Sequence, residues 1–128
     1  MIQLAHIALY VQDLEGMKDF YVRHFGATAS AKYHNSKTGL QTYFLSFSSG
    51  SRLELMTRPG LTSHLQGAPA TGYNHIAFAL GSRARVDALA QELAQAGSPI
   101  LSGPRLTGDG YYEVSFADPE GNLLELVA

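Results

Sequence analysis

Two histidines and two glutamates stand at matching places in this sequence. His6 opens the tripeptide His-Ile-Ala, and His75 opens a second copy of it at an offset of 69 residues (6 to 75). Glu54 and Glu125 each lie at the centre of a Leu-Glu-Leu tripeptide, at an offset of 71 residues (54 to 125). Imidazole suits Zn²⁺, Ni²⁺, Cu²⁺ and Fe²⁺, and carboxylate favours the harder cations. If the two repeats converge with pseudo-two-fold symmetry, these four side chains would form a site for one divalent metal ion.

The repeat extends beyond these motifs. The offset of 69 also relates four further pairs of identical residues, which are Gly39 and Gly108, Tyr43 and Tyr112, Ser46 and Ser115, and Phe47 and Phe116. The offset grows to 71 in a predicted turn, where residues 48–51 are replaced by the longer Asp-Pro-Glu-Gly-Asn segment at 118–122. Insertions are best tolerated at loop tips, so this change of offset supports duplication of one unit.

Both halves of the sequence predict the same order of elements. In the first half, a strand at 3–11 precedes a helix with Asp13 as its N-cap and Gly26 near its end, and strands follow near 28–34, 40–48 and 51–57. In the second half, a strand at 73–80 precedes a helix capped by Ser82 and ended by Gly97, and strands follow near 99–102, 110–117 and 122–127. The order strand–helix–three strands, repeated once, predicts an α+β fold with mostly antiparallel pairing.

The predicted modules span residues 1–57 and 73–128, and a connection at 58–72 joins them. Each module has about 56 residues, which is marginal for independent folding, so we expect both to fold together as one domain over 1–128.

Composition limits the partners of the protein. Its 128 residues include 9 Lys and Arg against 11 Asp and Glu, for a formal net charge of −2, and no cysteine. A nucleic-acid-binding protein needs a basic face and a polybasic membrane anchor needs clustered Lys and Arg, so neither class is predicted. No apolar run is long enough to cross a bilayer, and the sequence opens with no signal-peptide pattern, so we expect a cytoplasmic protein.

Each of the four candidate ligands also has an ordinary interpretation. A lone histidine in a strand is usually a hydrogen-bonded core or surface residue, and the glutamate of a single Leu-Glu-Leu usually faces water from a half-buried strand. Because all four occupy matching places in a duplicated frame, their repetition favours a metal site. The alternative is strand patterning inherited by duplication, with no metal.

Taken over almost the whole chain, the doubled unit resembles the vicinal oxygen chelate superfamily, with His-Ile-Ala near each start and Leu-Glu-Leu near each end. The quartet of two His and two Glu most resembles glyoxalase I and its relatives. The resemblance implies two tandem βαβββ modules in a half-open mixed β-barrel, usually assembled as a homodimer. It also implies that His6, Glu54, His75 and Glu125 bind a divalent metal, with Ni²⁺ or Zn²⁺ expected first and Co²⁺, Mn²⁺ or Fe²⁺ as alternatives.

By the same resemblance, the metal would chelate two neighbouring oxygens of a small-molecule substrate and stabilise an enediolate. Glu125 would act as the base that moves the proton, with Glu54 as the second choice. The predicted function is therefore that of a glyoxalase I-like lyase or isomerase. Two alternatives remain: an extradiol-type dioxygenase or epimerase of the same fold, and a non-catalytic protein that sequesters a small molecule, as some antibiotic-resistance members do.

The substrate is where the resemblance to glyoxalase I weakens. Bacterial glyoxalase I holds glutathione with an Arg four residues after the first His and an Asn four residues after the first Glu, but this sequence has Tyr10 and Arg58 there. These departures argue against glutathione, and Arg58 could instead pair with another anion or be a solvated residue leading into the connection. Tyr111 and Glu113 are further candidate substrate contacts. In a homodimer that exchanges modules, each metal would take two ligands from each chain.

Overall fold

The computed structural model of the protein describes residues 1–62 and 71–128. The chain divides into two compact units, Met1–Gly67 and Ala68–Ala128, here called unit 1 and unit 2. The predicted connection at 58–72 lies partly outside the described residues. The bounds of the two modules, 1–57 and 73–128, and the union of the modules in one domain therefore stay predictions.

Unit 1 contains one helix and a five-stranded mixed sheet within its described residues. Its elements are, in chain order, β1 (His6–Tyr10), α1 (Leu14–Phe25), β2 (Thr28–Ala29), β3 (Tyr33–His34), β4 (Gln41–Ser46) and β5 (Arg52–Thr57). The sheet runs in the order β1-β5-β4-β2, and β3 also pairs with β4. The β1–β5 pair is parallel and the others are antiparallel. The first and last strands of the unit are therefore parallel neighbours in the sheet.

Helix α1 begins and ends as the sequence predicts. The Asp13 side chain accepts a hydrogen bond from the Gly16 amide at 3.0 Å, a cap worth about 1 kcal/mol over alanine. Gly26 ends the helix in the left-handed conformation, with φ 65°. The helix packs on β4 and β5, and its buried face consists of Leu14, Met17, Phe20 and Tyr21.

The strand predicted near 28–34 is instead two short strands, β2 and β3, that share one edge of β4. Between them, the Ser30 hydroxyl accepts a hydrogen bond from the Phe44 amide at 2.9 Å. Because a side-chain oxygen replaces a backbone carbonyl in the ladder, regular pairing is interrupted at this point.

Unit 2 repeats the order with one helix and a four-stranded sheet in its described residues. Its elements are β6 (Ile76–Ala79), α2 (Arg83–Gln95), β7 (Ile100–Leu106), β8 (Tyr112–Ala117) and β9 (Leu123–Val127). The sheet order is β6-β9-β8-β7, with β6 parallel to β9 and the other pairs antiparallel. The predicted α+β class, the two βαβββ modules and the mostly antiparallel pairing are confirmed, and each sheet is mixed and open.

Helix α2 also has the predicted ends. The Ser82 hydroxyl accepts from the Arg85 amide at 3.3 Å, and Gly97, with φ 93°, follows the last turn. Val86, Ala90 and Leu93 form the buried face. Among the residues that the structure describes, no helix combines the length and apolarity that crossing a membrane requires.

Strand β7 is longer than the predicted segment at 99–102. A Gly-Pro dipeptide is typical of a turn, yet β7 continues through Gly103 with two shifts of register against β8. Gly103 has φ 90°, and a Cβ there would lie 2.6 Å from the carbonyl oxygen of Glu113, so glycine allows this close approach of two backbones. The continued strand places Arg105 directly opposite Glu113.

The two faces of each sheet carry different residues. Leu53 and Leu55 of β5, like Leu124 and Leu126 of β9, are buried. Successive strand residues point to opposite faces, so the glutamate between each pair of leucines lies on the other face. We call the buried side the helix face and the glutamate side the ligand face.

Candidate metal centre

The first pair of predicted ligands comes together on the ligand face of unit 1. His6 in β1 and Glu54 in β5 lie on neighbouring parallel strands, with Ala8 as the direct register partner of Glu54. His6 Nε2 lies 3.8 Å from Glu54 Oε1. The Glu54 side chain is only 17% exposed and that of His6 is 40% exposed, so the carboxylate is half-buried beside an accessible imidazole.

The second pair repeats this arrangement in unit 2. His75 comes immediately before β6, and Glu125 lies in β9 with Ala77 as its register partner. His75 Nε2 lies 3.2 Å from Glu125 Oε2, and the side chains are 34% and 18% exposed. Two separate parts of the chain therefore present the same imidazole–carboxylate pair in the same sheet register.

A neighbouring amide orients the histidine of unit 2. Asn74 Oδ1 lies 2.8 Å from His75 Nδ1. Because an amide oxygen only accepts hydrogen bonds, this contact favours the tautomer that has its proton on Nδ1 and a lone pair on Nε2. Metal-binding histidines are commonly held by a partner of this kind. In unit 1 the residue before His6 is Ala5, whose side chain has no acceptor.

The donor set of each unit fits a divalent metal ion. Two ligands that lie about 2.1 Å from one ion at right angles are about 3 Å apart, close to the observed separations of 3.2 Å and 3.8 Å. Within either unit by itself, the described residues bring no three His, Cys, Asp or Glu side chains into a larger metal-binding group. Each unit therefore offers two ligands, one imidazole and one carboxylate.

Three of the predicted substrate contacts are accessible. Tyr10 ends β1 on the same face as His6 and is 52% exposed. Arg58 comes directly after β5 and is exposed. Tyr111 precedes β8 and is exposed. Their contact with a substrate stays a prediction.

Glu113, the fourth predicted contact, is buried and already paired. Its Oε1 lies 2.8 Å from Arg105 Nη2 across the β7–β8 ladder. The Glu113 side chain is 11% exposed, and a buried carboxylate without such a partner would cost free energy. Its role in binding a substrate also stays a prediction.

Three residues near the histidines escaped prediction from the sequence. One is Asn74, described above. The other two are Phe44, whose ring meets the edge of His6 with centroids 5.4 Å apart and planes at 89°, and Arg52, whose guanidinium carbon lies 4.3 Å from the centre of the Phe44 ring. The spacing of Arg52 and Glu54, two residues apart in a strand, would have placed both side chains on one face.

On the helix face, one tyrosine of each unit is hydrogen-bonded to the helix. The Tyr43 hydroxyl donates to Glu15 at 3.0 Å, and the Tyr112 hydroxyl donates to Asp87. The hydrogen bond from the Lys32 ammonium, with N···O 2.7 Å, is the main cause that lowers the pKa of Glu15 from 4.5 to about 2. The bond to Asp87 raises the pKa of Tyr112 above its usual 10.0. These contacts tie β4 to α1 and β8 to α2.

Comparison with known sequences finds relatives along nearly the whole chain. The profile of the Glyoxalase/Bleomycin resistance protein/Dioxygenase superfamily matches residues 3–126. YwkD of Bacillus subtilis (strain 168), described as an uncharacterized protein, is 32% identical over 124 residues, which cover 94% of this chain and 92% of YwkD.

Solved structures share the fold. A glyoxylase/bleomycin resistance protein/dioxygenase domain from Frankia sp. EAN1pec matches with a TM-score of 0.84 and 20% identity, covering 99% of this chain and 97% of that one. Glyoxalase I of Leishmania major, described as trypanothione-dependent, matches with a TM-score of 0.79 and 23% identity, covering 99% and 86%. At these identities the likeness shows the fold alone.

Proposed function

Because the chain belongs to the glyoxalase/bleomycin resistance protein/dioxygenase superfamily, we propose that it is a metal-dependent lyase or isomerase of the glyoxalase I type. In this proposal His6, Glu54, His75 and Glu125 bind one divalent ion, Ni²⁺ or Zn²⁺ in the first place and Co²⁺, Mn²⁺ or Fe²⁺ otherwise. The substrate is a small molecule with two neighbouring oxygen atoms. The observation that carries the proposal is the recurrence of one His–Glu pair in the same register in both units.

The two carboxylates support metal binding on energetic grounds. The Glu54 and Glu125 side chains are less than one-fifth exposed, and each has a histidine beside it as its ion-pair partner. An imidazole balances a carboxylate charge only when it is protonated, and a poorly solvated carboxylate without a cation costs several kcal/mol. A divalent cation would offset that cost in both units.

Glu125 is the first candidate for the base, and its neighbours support that choice. Its register partners are Ser115 and Ala77, which are small, whereas Glu54 lies opposite the large Phe44 side chain. Small neighbours leave the Glu125 carboxylate room to change its position during proton transfer. Glu54 is the second candidate.

Proton transfer by Glu125 would isomerise a 2-hydroxy carbonyl compound. A bound divalent ion supplies the Lewis acidity that makes the C–H bond next to a carbonyl group more acidic. The Glu125 carboxylate removes the proton from the carbon that bears the hydroxyl group and returns it to the neighbouring carbonyl carbon. The hydroxyl proton passes to the other oxygen, so atoms balance and no oxidant or reductant is consumed. General base catalysis of this kind typically contributes about 10²–10⁴-fold in rate.

The metal stoichiometry tests whether the two pairs share one ion. Inductively coupled plasma mass spectrometry of the purified protein should find about one divalent ion per chain. His6→Ala and His75→Ala should each lose that ion, because each removes a ligand of the same site. His34→Ala, which changes an exposed histidine of β3, is the matched control and should keep it. Retention of half the metal in each single variant would show two separate sites and contradict the proposal.

The reaction class needs a separate screen. Methylglyoxal is offered together with glutathione and with other thiols, and the metal-loaded protein should form a 2-hydroxy thioester with one of them. Oxygen uptake with a catechol would identify a dioxygenase instead, and deuterium exchange at a chiral carbon without isomerisation would identify an epimerase. Purified protein that holds no metal and recovers none from added Ni²⁺, Zn²⁺, Mn²⁺ or Fe²⁺ would favour a sequestering protein.

We also propose a homodimer, with exchange of modules as one way to build it. Light scattering at micromolar concentration should then give twice the mass of 13.8 kDa. Mixing His6→Ala with Glu125→Gln protein distinguishes the two ways of building the site. In an exchanged heterodimer one site would have all four ligands, so activity would return, whereas a site within one chain would leave the mixture inactive.

A further inference from the structure

We propose that Arg52 binds an oxyanion of the substrate, so that the substrate is a small carboxylate or phosphate compound. This inference rests on the proposed function, because it assigns the substrate class for the same site. It is carried by the position of Arg52 on the ligand face of unit 1 and by the aromatic ring that supports its guanidinium group.

Arg52 lies directly beside the first His–Glu pair. It is the register partner of His6 across the β1–β5 ladder, and directly opposite residues share a face of the sheet. It also precedes Glu54 by two residues in β5, which is about 7 Å along a strand and again on the same face. A small molecule held between His6 and Glu54 is therefore within reach of the long Arg52 side chain.

Phe44 supports both the cation and the imidazole. The Arg52 guanidinium carbon lies 4.3 Å from the centre of the Phe44 ring, and the same ring meets His6 at 89°. Such cation–π contact contributes about 0.5–1 kcal/mol at an exposed site and restricts the orientation of a flexible side chain. A guanidinium group held in this way keeps the paired N–H donors that match the two oxygens of a carboxylate or phosphate.

The charge of Arg52 is not balanced within the protein. Across residues 1–62 and 71–128, no carboxylate lies within ion-pair distance of Arg52, although its side chain is exposed on a face that carries a histidine and a glutamate. Arg105 shows the contrasting case, because its guanidinium group is bound by Glu113 at 2.8 Å. Arg52 therefore offers donors to an incoming anion, and Arg105 has its donors already engaged.

The duplication places this cation in one unit. The residue that matches Arg52 in unit 2 is Leu123, and Ser115 lies opposite Glu125 where Phe44 lies opposite Glu54. At these two positions unit 2 therefore has neither a guanidinium group nor an aromatic ring. The oxyanion of the substrate is therefore expected beside Arg52 of unit 1.

Anion binding to the metal-free protein tests the assignment independently of turnover. Sodium pyruvate, inorganic phosphate and the neutral analogue hydroxyacetone are titrated while the amide spectrum is followed by nuclear magnetic resonance. Charge-assisted hydrogen bonds of this kind correspond to about a tenfold or larger change in affinity. We expect Arg52→Gln to weaken binding of the preferred anion by about tenfold or more and Arg52→Lys to weaken it less, with hydroxyacetone unaffected. Arg23→Gln, which changes an exposed arginine of α1, is the matched control.

The outcomes separate this inference from the proposed function. A tenfold loss with pyruvate identifies a carboxylate as the oxyanion, and a tenfold loss confined to phosphate identifies a phosphate. Equal binding by the parent protein and Arg52→Gln, or no anion binding by the parent protein, overturns the inference. Because Arg52→Lys keeps the cation and the side-chain stem, it decides the question if Arg52→Gln fails to fold. The two proposals can fail separately. If anion binding does not depend on Arg52, the metal and turnover assays still test the proposed function. If those assays fail, the anion titration still tests the role of Arg52.

Discussion

The ligand face of unit 1 differs from that of unit 2 at the positions beside the His–Glu pair. In unit 1, Phe44 lies against His6 and supports Arg52. The matching positions of unit 2 hold Ser115 and Leu123. The strand pairing that carries these residues is the same in both units. A repeated ladder can therefore keep the His–Glu pair in place while the neighbouring positions diverge.

Unit 2 uses its polar residues to hold groups in place. Asn74 orients the ring of His75 through Nδ1, and Arg105 binds the buried Glu113 carboxylate. The His–Glu separation is also shorter here, 3.2 Å against 3.8 Å in unit 1. Under the proposed function, unit 2 would fix a metal ligand and supply the base, and unit 1 would offer a cation to the substrate.

The largest effect is expected from the two glutamates, which test whether the base belongs to unit 2. With metal supplied in excess, Glu125→Gln should lower kcat by about 10²–10⁴-fold while the protein retains some metal. Glu54→Gln should lose less turnover at the same metal occupancy. An amide oxygen can still bind the metal at position 54, whereas an amide at position 125 could not accept the proton. Turnover and bound metal are measured on the same samples. Unchanged turnover in Glu125→Gln would remove Glu125 from the mechanism, and the reverse order would place the base in unit 1.

The next effect concerns the orientation of His75. Asn74→Ala removes the acceptor for Nδ1–H, and loss of such a partner typically weakens metal affinity by about 10–100-fold. Asn74→Asp keeps an acceptor at the same place and should stay near the parent affinity. Competition with a chromophoric chelator measures both. If Asn74→Ala binds metal as tightly as the parent protein, the amide does not orient the ligand, and this contrast between the units disappears.

A smaller effect is expected from the Arg105–Glu113 pair. Arg105→Gln leaves the buried Glu113 carboxylate without its cation, and an unsatisfied buried acceptor costs about 1–3 kcal/mol. Because the Arg105 side chain is 61% exposed, water can partly replace it, so we expect a loss near the lower end in urea denaturation. Arg52→Gln, in a residue that has no carboxylate partner in the described part of the chain, is the comparison and should lose less. Equal losses would show that the pair of unit 2 contributes no specific stability.

Local features of the sequence predicted most of the fold. Asp13 and Ser82 cap their helices through neighbouring amides, and Gly26 ends α1 with a conformation that glycine adopts easily. The errors lie where distant strands decide the outcome. The Ser30 hydroxyl interrupts a strand through its bond to β4, and Gly103 lets β7 continue past a turn-like dipeptide through its close approach to β8. These contacts join residues on different strands, so hydrophobic periodicity and secondary-structure propensity do not predict them.

The candidate site shows the same limit in another form. The four candidate ligands could be predicted because each motif occurs in both repeats. They are His6, Glu54, His75 and Glu125. Asn74 and Arg52 occur in one copy only, since their matching positions hold Ala5 and Leu123. A comparison of the two halves identifies what they share, and it passes over the residues by which they differ. Those differences become interpretable only when the register and the faces of the sheets are known.

The charged helix residues around Tyr43 and around Tyr112 follow opposite orders along their helices. In α1 the acidic Glu15 binds the Tyr43 hydroxyl and Lys18 lies over the tyrosine ring one turn later. In α2 the order is reversed, because Arg83 lies over the Tyr112 ring and the acidic residue that binds its hydroxyl follows one turn later. Negative charge is favoured at the start of a helix, so the arrangement in unit 1 has the more favourable electrostatics.

The smallest expected effect is on how the stability of the protein depends on acid pH, and it tests this difference. The pKa of Glu15 is about 2 in the folded protein, below its ordinary value of 4.5, so the carboxylate binds its proton less readily when folded. Its stabilisation is therefore complete above pH 4.5 and is lost as the pH falls from 4.5 towards 2. Because the Glu15 side chain is 51% exposed, solvent screening limits the effect to about 0.2–1 kcal/mol. In urea titrations between pH 5 and 2, Glu15→Gln should flatten the dependence of the unfolding free energy on pH. Lys32→Gln should flatten it more than Tyr43→Phe, because the hydrogen bond from Lys32 is the main cause of the lowered pKa. An unchanged slope in Glu15→Gln would show that this cluster adds no stability to unit 1.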